Sequence, residues 1–125
     1  MNLLLDTHIF LWLNQEPEKI NRQLLELCSD HQNHLFLSLV SLWEIQIKYQ
    51  LGKLKLHRPI LDLITEQQKS NQLQILPIRL EHILALSSLE NHHHDPFDRL
   101  LIAQSQIEDM LLVTEDSKIK RYQNP

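Results

Sequence analysis

Residues 2–13 read NLLLDTHIFLWL, an apolar run that three polar side chains interrupt near its middle. Three consecutive leucines, residues 3–5, are typical of a short parallel strand that is buried on both faces. Asp6, directly after them, predicts the end of that strand and the start of a helix. A carboxylate among leucines costs folding free energy unless it is paired. Asp6 therefore needs a partner that offsets this cost.

The rest of the chain alternates between further short strands and amphipathic helices. Strands are predicted at residues 35–39, 74–78 and 110–114. Helices are predicted at residues 8–13, 17–28, 41–51, 59–71, 80–89 and 96–107, with a helical turn at 118–122. Strands separated by helices predict an α/β fold in which helices flank a mostly parallel central sheet. We expect one domain over residues 1–125, since no repeat or linker is visible.

The composition excludes several classes of protein. Hydrophobic residues make up 42% of the 125 residues and charged residues 22%, which is typical of a soluble globular protein. A single cysteine, Cys28, excludes an internal disulfide and predicts a cytoplasmic location. No apolar run approaches the ~20 residues that a membrane span needs. Gly52 is the only glycine, which excludes the glycine-rich loops of P-loop and dinucleotide-binding proteins.

Acidic residues follow the predicted strands at the edge of the sheet where open α/β folds bind ligands. Asp6 and Asp116 come after the first and fourth strands, and Glu44 lies one turn into the helix after the second. Asp95 or Asp98 would join them if the last long helix points its N-terminus at this edge. Carboxylates ~5 Å apart repel by about 3 kcal/mol per pair at an effective dielectric of 20. Such a cluster persists only if the pKa values of the carboxyl groups rise or if cations bind. Mg²⁺ or Mn²⁺, which prefer oxygen ligands, are the natural cations, so this edge predicts a metal site.

Each of these acids also has a purely structural interpretation. Asp6 and Asp116 could cap the helical turns that follow them. Ser41 and Glu44 have the spacing of a capping box, in which the glutamate binds a backbone N–H. Asp95 precedes a proline, the order that is typical of an N-cap and the first residue of a helix. Capping is the stronger interpretation for Glu44 and Asp95 when each is considered singly.

Positive side chains that could contact RNA are local, because the net charge of the chain is −4. Residues 48–58 contain several cations and no acid, and another cation adjoins Asp98. The candidate phosphate contacts are Lys48, Lys53, Lys55, Arg58 and Arg99. An equal alternative is that residues 48–58 form an exposed helix end and loop. Similarly, Arg99 could pair with Asp95, four residues earlier.

Two further features have structural interpretations. Three consecutive histidines, residues 92–94, lack the acid and spacing of a helical metal motif and are predicted to lie in a solvated loop. Trp12 and Trp43 are predicted to pack in the core, and an exposed tryptophan would indicate a protein interface.

Four segments of the chain resemble the successive motifs of PIN-domain ribonucleases. They are LLLDTHIFLWL, SLWEIQIKYQLGKL, HHHDPFDRLLIAQS and LLVTED. The resemblance covers nearly the whole chain and is greatest to the VapC-type toxins of bacterial toxin–antitoxin pairs. It implies a three-layer α/β/α PIN-like fold. It also matches the metal-binding acids of the family to Asp6, Glu44, Asp98 and Asp116, which favours Asp98 over Asp95.

The same resemblance implies an activity and partners. Family members are endoribonucleases that depend on Mg²⁺ or Mn²⁺, so the four matched acids become the expected catalytic and metal-binding residues. The implied partners are an RNA substrate, a cognate antitoxin protein and a second copy of the chain. A PIN-like module that binds RNA or a protein without cleavage is the alternative. A phosphatase of the haloacid dehalogenase type is disfavoured, because it needs a second aspartate where this chain has His8.

Overall fold

A computed structural model describes residues 1–90 and 95–116 of the chain. Its sheet has four parallel strands in the order β3-β2-β1-β4. The strands are β1 (Asn2–Leu5), β2 (His34–Ser38), β3 (Gln74–Leu76) and β4 (Leu111–Val113). The predicted parallel sheet is confirmed. The predicted helical turn at 118–122 and the histidines at 92–94 lie outside the described residues.

Six α-helices flank the strands in the part of the chain that the structure describes. They are α1 (Thr7–Gln15), α2 (Arg22–Ser29), α3 (Leu39–Gln50), α4 (Ile60–Asn71), α5 (Leu80–Leu84) and α6 (Pro96–Ile107). Two short 3₁₀ helices, Pro17–Lys19 and Ala85–Ser88, precede α2 and follow α5. None of the helices in residues 1–90 and 95–116 has the length and hydropathy that a membrane span requires.

Different helices cover the two faces of the sheet, because side chains alternate along each strand. Leu3 and Leu5 of β1 pack in a buried cluster with side chains from α1, α2, α3 and α4. Leu4 faces the opposite side, where it packs with Leu101 and Ile102 of α6. The sheet therefore lies between two layers of helices, and the predicted three-layer α/β/α fold is confirmed.

The single helix predicted over residues 17–28 is wrong. The backbone is extended at Ile20 (φ −83°, ψ 134°), between the 3₁₀ turn and α2. Asn21 caps α2, since its side chain accepts hydrogen bonds from the N–H groups of Gln23 and Leu24. Asparagine at an N-cap competes with continuation of the preceding turn, so the chain restarts there as a new helix. The helix predicted at 80–89 is also shorter, because it continues beyond Leu84 as a 3₁₀ helix.

The start of α3 differs from the prediction in a way that affects the acidic site. The N-cap is Ser38, whose hydroxyl accepts a hydrogen bond from the N–H of Val40 at 3.0 Å. Ser41 therefore lies inside α3, and the capping box predicted for Ser41 and Glu44 is wrong. The other end is as predicted, with Gly52 following the helix at φ +72°, a conformation that glycine adopts without strain.

Candidate active site

The order of the strands produces a switch point beside β1. From β1 the chain moves outward to β2 and β3, and then returns to the other side of β1 to form β4. Asp6 directly follows β1, and Asp116 lies three residues beyond β4. In open α/β folds, ligands bind at the carboxyl ends of strands where the order reverses in this way.

A cavity of about 490 Å³ lies at this edge and is lined mainly by acidic side chains. Among the described residues, its lining is Asp6, His8, Ile9, Trp12, Glu44, Lys48, Asp95, Asp98, Glu115 and Asp116. The structure thus brings together all four acids that the sequence singled out, from the N-cap of α1, from α3 and α6, and from the segment after β4. Their catalytic and metal-binding roles remain predictions.

Asp6 is a buried carboxylate at the N-terminus of α1, with 5% of its surface exposed. Its Oδ1 accepts a hydrogen bond from the N–H of Thr7 at 2.7 Å, and its Oδ2 accepts one from the hydroxyl of Thr114 at 2.8 Å. Burial raises the pKa of Asp6 above its usual range, and the charge of Glu44 adds to that rise. The two hydrogen bonds and the charge of His8 oppose it. Asp6 is therefore both a helix cap and a carboxylate of the cavity.

Glu44 is buried in the middle of α3, and polar groups satisfy both of its oxygens. Its Oε1 accepts a hydrogen bond from the hydroxyl of Thr7 at 2.8 Å, and that hydroxyl also lies 2.9 Å from the hydroxyl of Ser41. Its Oε2 lies 2.5 Å from the Nζ of Lys48, one turn further along the helix. Because Thr7 adjoins Asp6, this contact fixes α1 and α3 at the same corner of the cavity.

Thr114 connects the segment after β4, which carries Glu115 and Asp116, to Asp6. Its hydroxyl donates to Asp6 and accepts a hydrogen bond from the N–H of Asp116 at 3.0 Å. Glu115 accepts a hydrogen bond from the N–H of Asn21 at 2.6 Å, which ties this segment to the start of α2. Sequence reasoning missed Glu115 as a cavity residue. Its position between Thr114 and Asp116, directly after the last strand, was the available signal.

Asp95 and Asp98 both lie at the N-terminus of α6. The Oδ1 of Asp95 accepts hydrogen bonds from the N–H groups of Phe97 and Asp98, at 2.9 and 3.1 Å. The capping interpretation of Asp95 is thereby confirmed. Asp95 also lines the cavity beside Asp98, whereas the sequence predicted one or the other and the family resemblance favoured Asp98. The N-terminus of α6 favours negative charge at both positions.

The family follows from a comparison with known proteins. A model of the PIN-domain family matches residues 3–125. The chain belongs to the PIN-domain family. No curated protein has a significant match to this PIN domain. It is similar to a chain in the crystal structure of VapBC2 from Rickettsia felis bound to a DNA fragment from their promoter. The TM-score is 0.72 at 21% identity, over 98% of this chain and 93% of that chain. At that identity the similarity shows a shared fold.

The cations predicted to contact RNA are distributed unevenly around this PIN domain. Lys48 lines the cavity, and none of the other four does so among the described residues. Lys53 and Lys55 are exposed in the segment after α3. Arg58 forms an ion pair with Glu66 of α4.

Arg99, the fifth predicted RNA contact, is directed towards the backbone that precedes α6. Its guanidinium donates to the carbonyl oxygens of Leu86 and Glu90, at 3.1 and 3.3 Å. These bonds hold the segment after α5 against the N-terminal turn of α6. A position next to Asp98 in sequence therefore does not by itself bring the guanidinium into the cavity.

The two tryptophans of the PIN domain differ in exposure. Trp12 packs against the core and also lines the cavity, where its ring lies 6.0 Å from the ring of His8. Trp43, which the sequence assigned to the core, is 56% exposed. The centroid of its ring lies 5.2 Å from that of the Phe97 ring, and the two ring planes are nearly perpendicular. The expectation for Trp43 is wrong because α3 turns this side chain towards solvent between Leu42 and Glu44, which face inward.

The donor atoms of the cavity suit a hard divalent cation in their chemistry. Within the described residues, no three side chains of His, Cys, Asp or Glu are arranged as a ready metal-binding cluster. The oxygens of Asp6 and Glu44 are instead satisfied by donors of the protein. Mg²⁺ prefers carboxylate oxygens and keeps several waters, so one or two direct carboxylates suffice to hold it. The residues present therefore fit a hydrated Mg²⁺ or Mn²⁺ ion.

Proposed function

We propose that this PIN domain is an endoribonuclease that hydrolyses RNA phosphodiester bonds with the help of Mg²⁺ or Mn²⁺. The observation that carries the proposal is the convergence of Asp6, Glu44, Asp98 and Asp116 on one cavity. Membership in the PIN-domain family supports nuclease chemistry. A cavity this acidic would repel an RNA phosphate unless a cation neutralised part of its charge.

The proposed roles of the acids follow from their positions. We assign Asp6 and Asp98 to hold the first ion, and Glu44 and Asp116 to bind directly or through water. When bound, the divalent ion supplies Lewis acidity, which lowers the pKa of water and neutralises charge on the phosphate. Thr7 and Thr114 position the carboxylates of Glu44 and Asp6 by hydrogen bonds. In the proposed reaction the oxygen of water, and not the ribose 2′-hydroxyl, bonds to phosphorus, and the bond between phosphorus and the ribose 3′ oxygen breaks. The products are then a 5′-phosphate and a 3′-hydroxyl, the 3′ oxygen having gained a proton.

The substrate that we propose is single-stranded or looped RNA, whose bases can be splayed apart at a surface cavity. Lys48 at the cavity and the exposed Lys53 and Lys55 would contact phosphates along one path over the end of α3. Arg58 and Arg99 would contact phosphates only after leaving the partners they have in this structure.

We further propose that the protein is the toxin of a type II toxin–antitoxin pair, acts in the cytoplasm and forms a homodimer. Its similarity to a chain of the VapBC2 complex supports an antitoxin partner. Exposed apolar side chains support protein interfaces. Leu80, Ile83 and Leu84 of α5 are 67%, 50% and 63% exposed, and Trp43 of α3 is also exposed. Leu80, Ile83 and Leu84 have the spacing of one helix face, and an exposed apolar face is typical of a site that another protein covers.

A cleavage assay with a matched pair of variants tests the proposed activity. Wild-type protein should cleave single-stranded RNA in the presence of Mn²⁺ or Mg²⁺ and leave 5′-phosphate ends. Cleavage should stop when EDTA is added. Asp98→Asn should lose at least a hundredfold in rate, because supporting contacts of a metal site alone are worth about 10–100-fold. Asp62→Asn is the control, since Asp62 is exposed in the first turn of α4 and outside the cavity.

Equal cleavage by wild type and Asp98→Asn would contradict the site assignment. Binding of RNA by a folded wild-type protein that cleaves nothing with either metal would favour the alternative of a non-catalytic RNA-binding module.

A further inference from the structure

Lys48 forms an ion pair that differs from the usual pairs on helix surfaces. It lies four residues after Glu44 on α3, with Nζ 2.5 Å from Oε2. Exposed pairs at this spacing contribute little, because water screens both charges. Here the side chain of Glu44 is only 4% exposed, while that of Lys48 is 38% exposed. A buried carboxylate is thus neutralised by an ammonium that still reaches solvent.

The same ammonium also interacts with acids of a second helix. Burial opposes the charged form of Lys48, but the hydrogen bond and the charge of Glu44 raise its pKa, and the charges of Asp95 and Asp98 at the start of α6 add to that rise. Lys48 and these three acids line one cavity. Lys48 is the only lysine or arginine among the described residues that line it. The positive charge of Lys48 therefore lies where a divalent cation would be attracted.

We propose that Lys48 is the resident counter-cation of the metal-free cavity, and that entry of a divalent ion breaks its contact with Glu44 and moves the ammonium outward. This inference rests on the proposed metal-dependent function. Two cations in one cavity repel each other, so ion and ammonium compete for the carboxylates. The exposed part of the Lys48 side chain gives the ammonium a route to solvent. Lys48 is thus a positioning residue, which acts through Glu44.

Competition predicts that removal of Lys48 strengthens ion binding. Isothermal titration calorimetry with Mn²⁺ alone, in the absence of RNA, would compare wild type with Lys48→Met. We expect Mn²⁺ to bind the variant on the order of tenfold more tightly, because the ion no longer displaces an ammonium group. A tenfold change in affinity corresponds to about 1.4 kcal/mol. In EDTA the variant should melt at a lower temperature than wild type, because its carboxylates repel without a counter-cation. Added Mn²⁺ should remove that difference.

Lys69→Met is the matched control, because Lys69 is an exposed lysine in the last turn of α4 and outside the cavity. It removes the same charge and should leave the Mn²⁺ affinity within twofold of wild type. Equal or weaker Mn²⁺ binding by Lys48→Met, with wild type binding normally, would overturn the inference and leave the proposed function standing. Absence of Mn²⁺ binding by wild type would overturn both. A role of Lys48 in contacting RNA alone would leave Mn²⁺ affinity unchanged.

A second measurement needs no variant and so does not depend on folding of Lys48→Met. In protein labelled with ¹⁵N-lysine, Mg²⁺ should shift the side-chain ammonium signal of Lys48 and leave that of Lys69 in place. A Lys48 signal that stays constant while Mg²⁺ saturates the protein would contradict the exchange.

Discussion

Asp6→Asn is expected to change activity and metal-free stability in opposite directions. RNA cleavage should fall by at least about a hundredfold, because the variant loses a carboxylate that we assign to the ion. In EDTA at neutral pH the same variant should be more stable than wild type. Asparagine caps a helix as well as aspartate does, so α1 keeps its N-cap. The substitution removes the cost of an ionised carboxylate in a buried position, and it also removes the oxygen that accepts a hydrogen bond from Thr114. We expect the first effect to be the larger, because burial is the largest influence on the pKa of Asp6.

The pH dependence of this stability difference follows from the raised pKa of Asp6. A carboxyl group whose pKa is higher in the folded protein than in the unfolded chain favours folding while it is protonated. Its contribution to the free energy of unfolding is therefore complete at pH values below the pKa of the unfolded chain, about 3.9. That contribution is lost as the pH rises through the pKa of the folded state. Wild type and Asp6→Asn should therefore melt alike in acid and diverge towards neutral pH, with the variant higher.

Thermal melts in EDTA between pH 4 and pH 8 measure this effect directly. Asp62→Asn, which replaces an exposed carboxylate, should show no comparable divergence. A loss of stability in Asp6→Asn at every pH would show that the negative charge of Asp6 supports the fold, contrary to the expectation from burial.

Phe10→Ala is expected to have the largest effect on stability. Phe10 is fully buried on α1 and packs in the cluster that holds α1 against the sheet. Truncation of a buried phenylalanine lowers the free energy of unfolding by about 3–5 kcal/mol, because the cost of the lost apolar burial and the cost of the cavity left behind add together. Domains have ~5–15 kcal/mol of stability in total, so this loss is a large part of the whole.

Urea denaturation would measure the loss, with Leu61→Ala as the control. Leu61 is 68% exposed on α4, so its truncation should stay within about 0.5 kcal/mol of wild type. Since α1 carries Thr7 and is capped by Asp6, Phe10→Ala should also weaken Mn²⁺ binding under conditions where it is still folded. Equal stability of Phe10→Ala and wild type would contradict the packing of α1 described here.

The sheet could be predicted from sequence because its side chains obey a simple rule. A short strand that is covered on both sides is apolar at every position, and residues 3–5 show this without interruption. Asp6 follows β1 directly and Asp116 lies three residues beyond β4, so the parallel sheet places both near one edge. The start of α3 could not be predicted as well. Ser38 and Ser41 are both capable N-caps, and packing decides between them.

Features that depend on contacts between helices could not be predicted from sequence. Glu44 and Lys48 have the four-residue spacing that allows an ion pair on a helix, but only the packing of α3 against α1 shows that the carboxylate of Glu44 is buried. Likewise, the sequence could not show that Asp95 reaches the cavity while it caps α6. In contrast, the sequence predicted that Arg99 would contact RNA beside Asp98, but its guanidinium donates to backbone carbonyl oxygens and does not line the cavity.

A bound divalent ion can be located by X-ray diffraction. Crystals grown with Mn²⁺ and measured near its absorption edge would give an anomalous difference map. We expect a peak inside the cavity, within coordination distance of Asp6 or Asp98, with Lys48 turned away from Glu44. If a saturating concentration of Mn²⁺ gave no peak in this cavity and left the Lys48–Glu44 pair intact, the proposed metal site would be wrong.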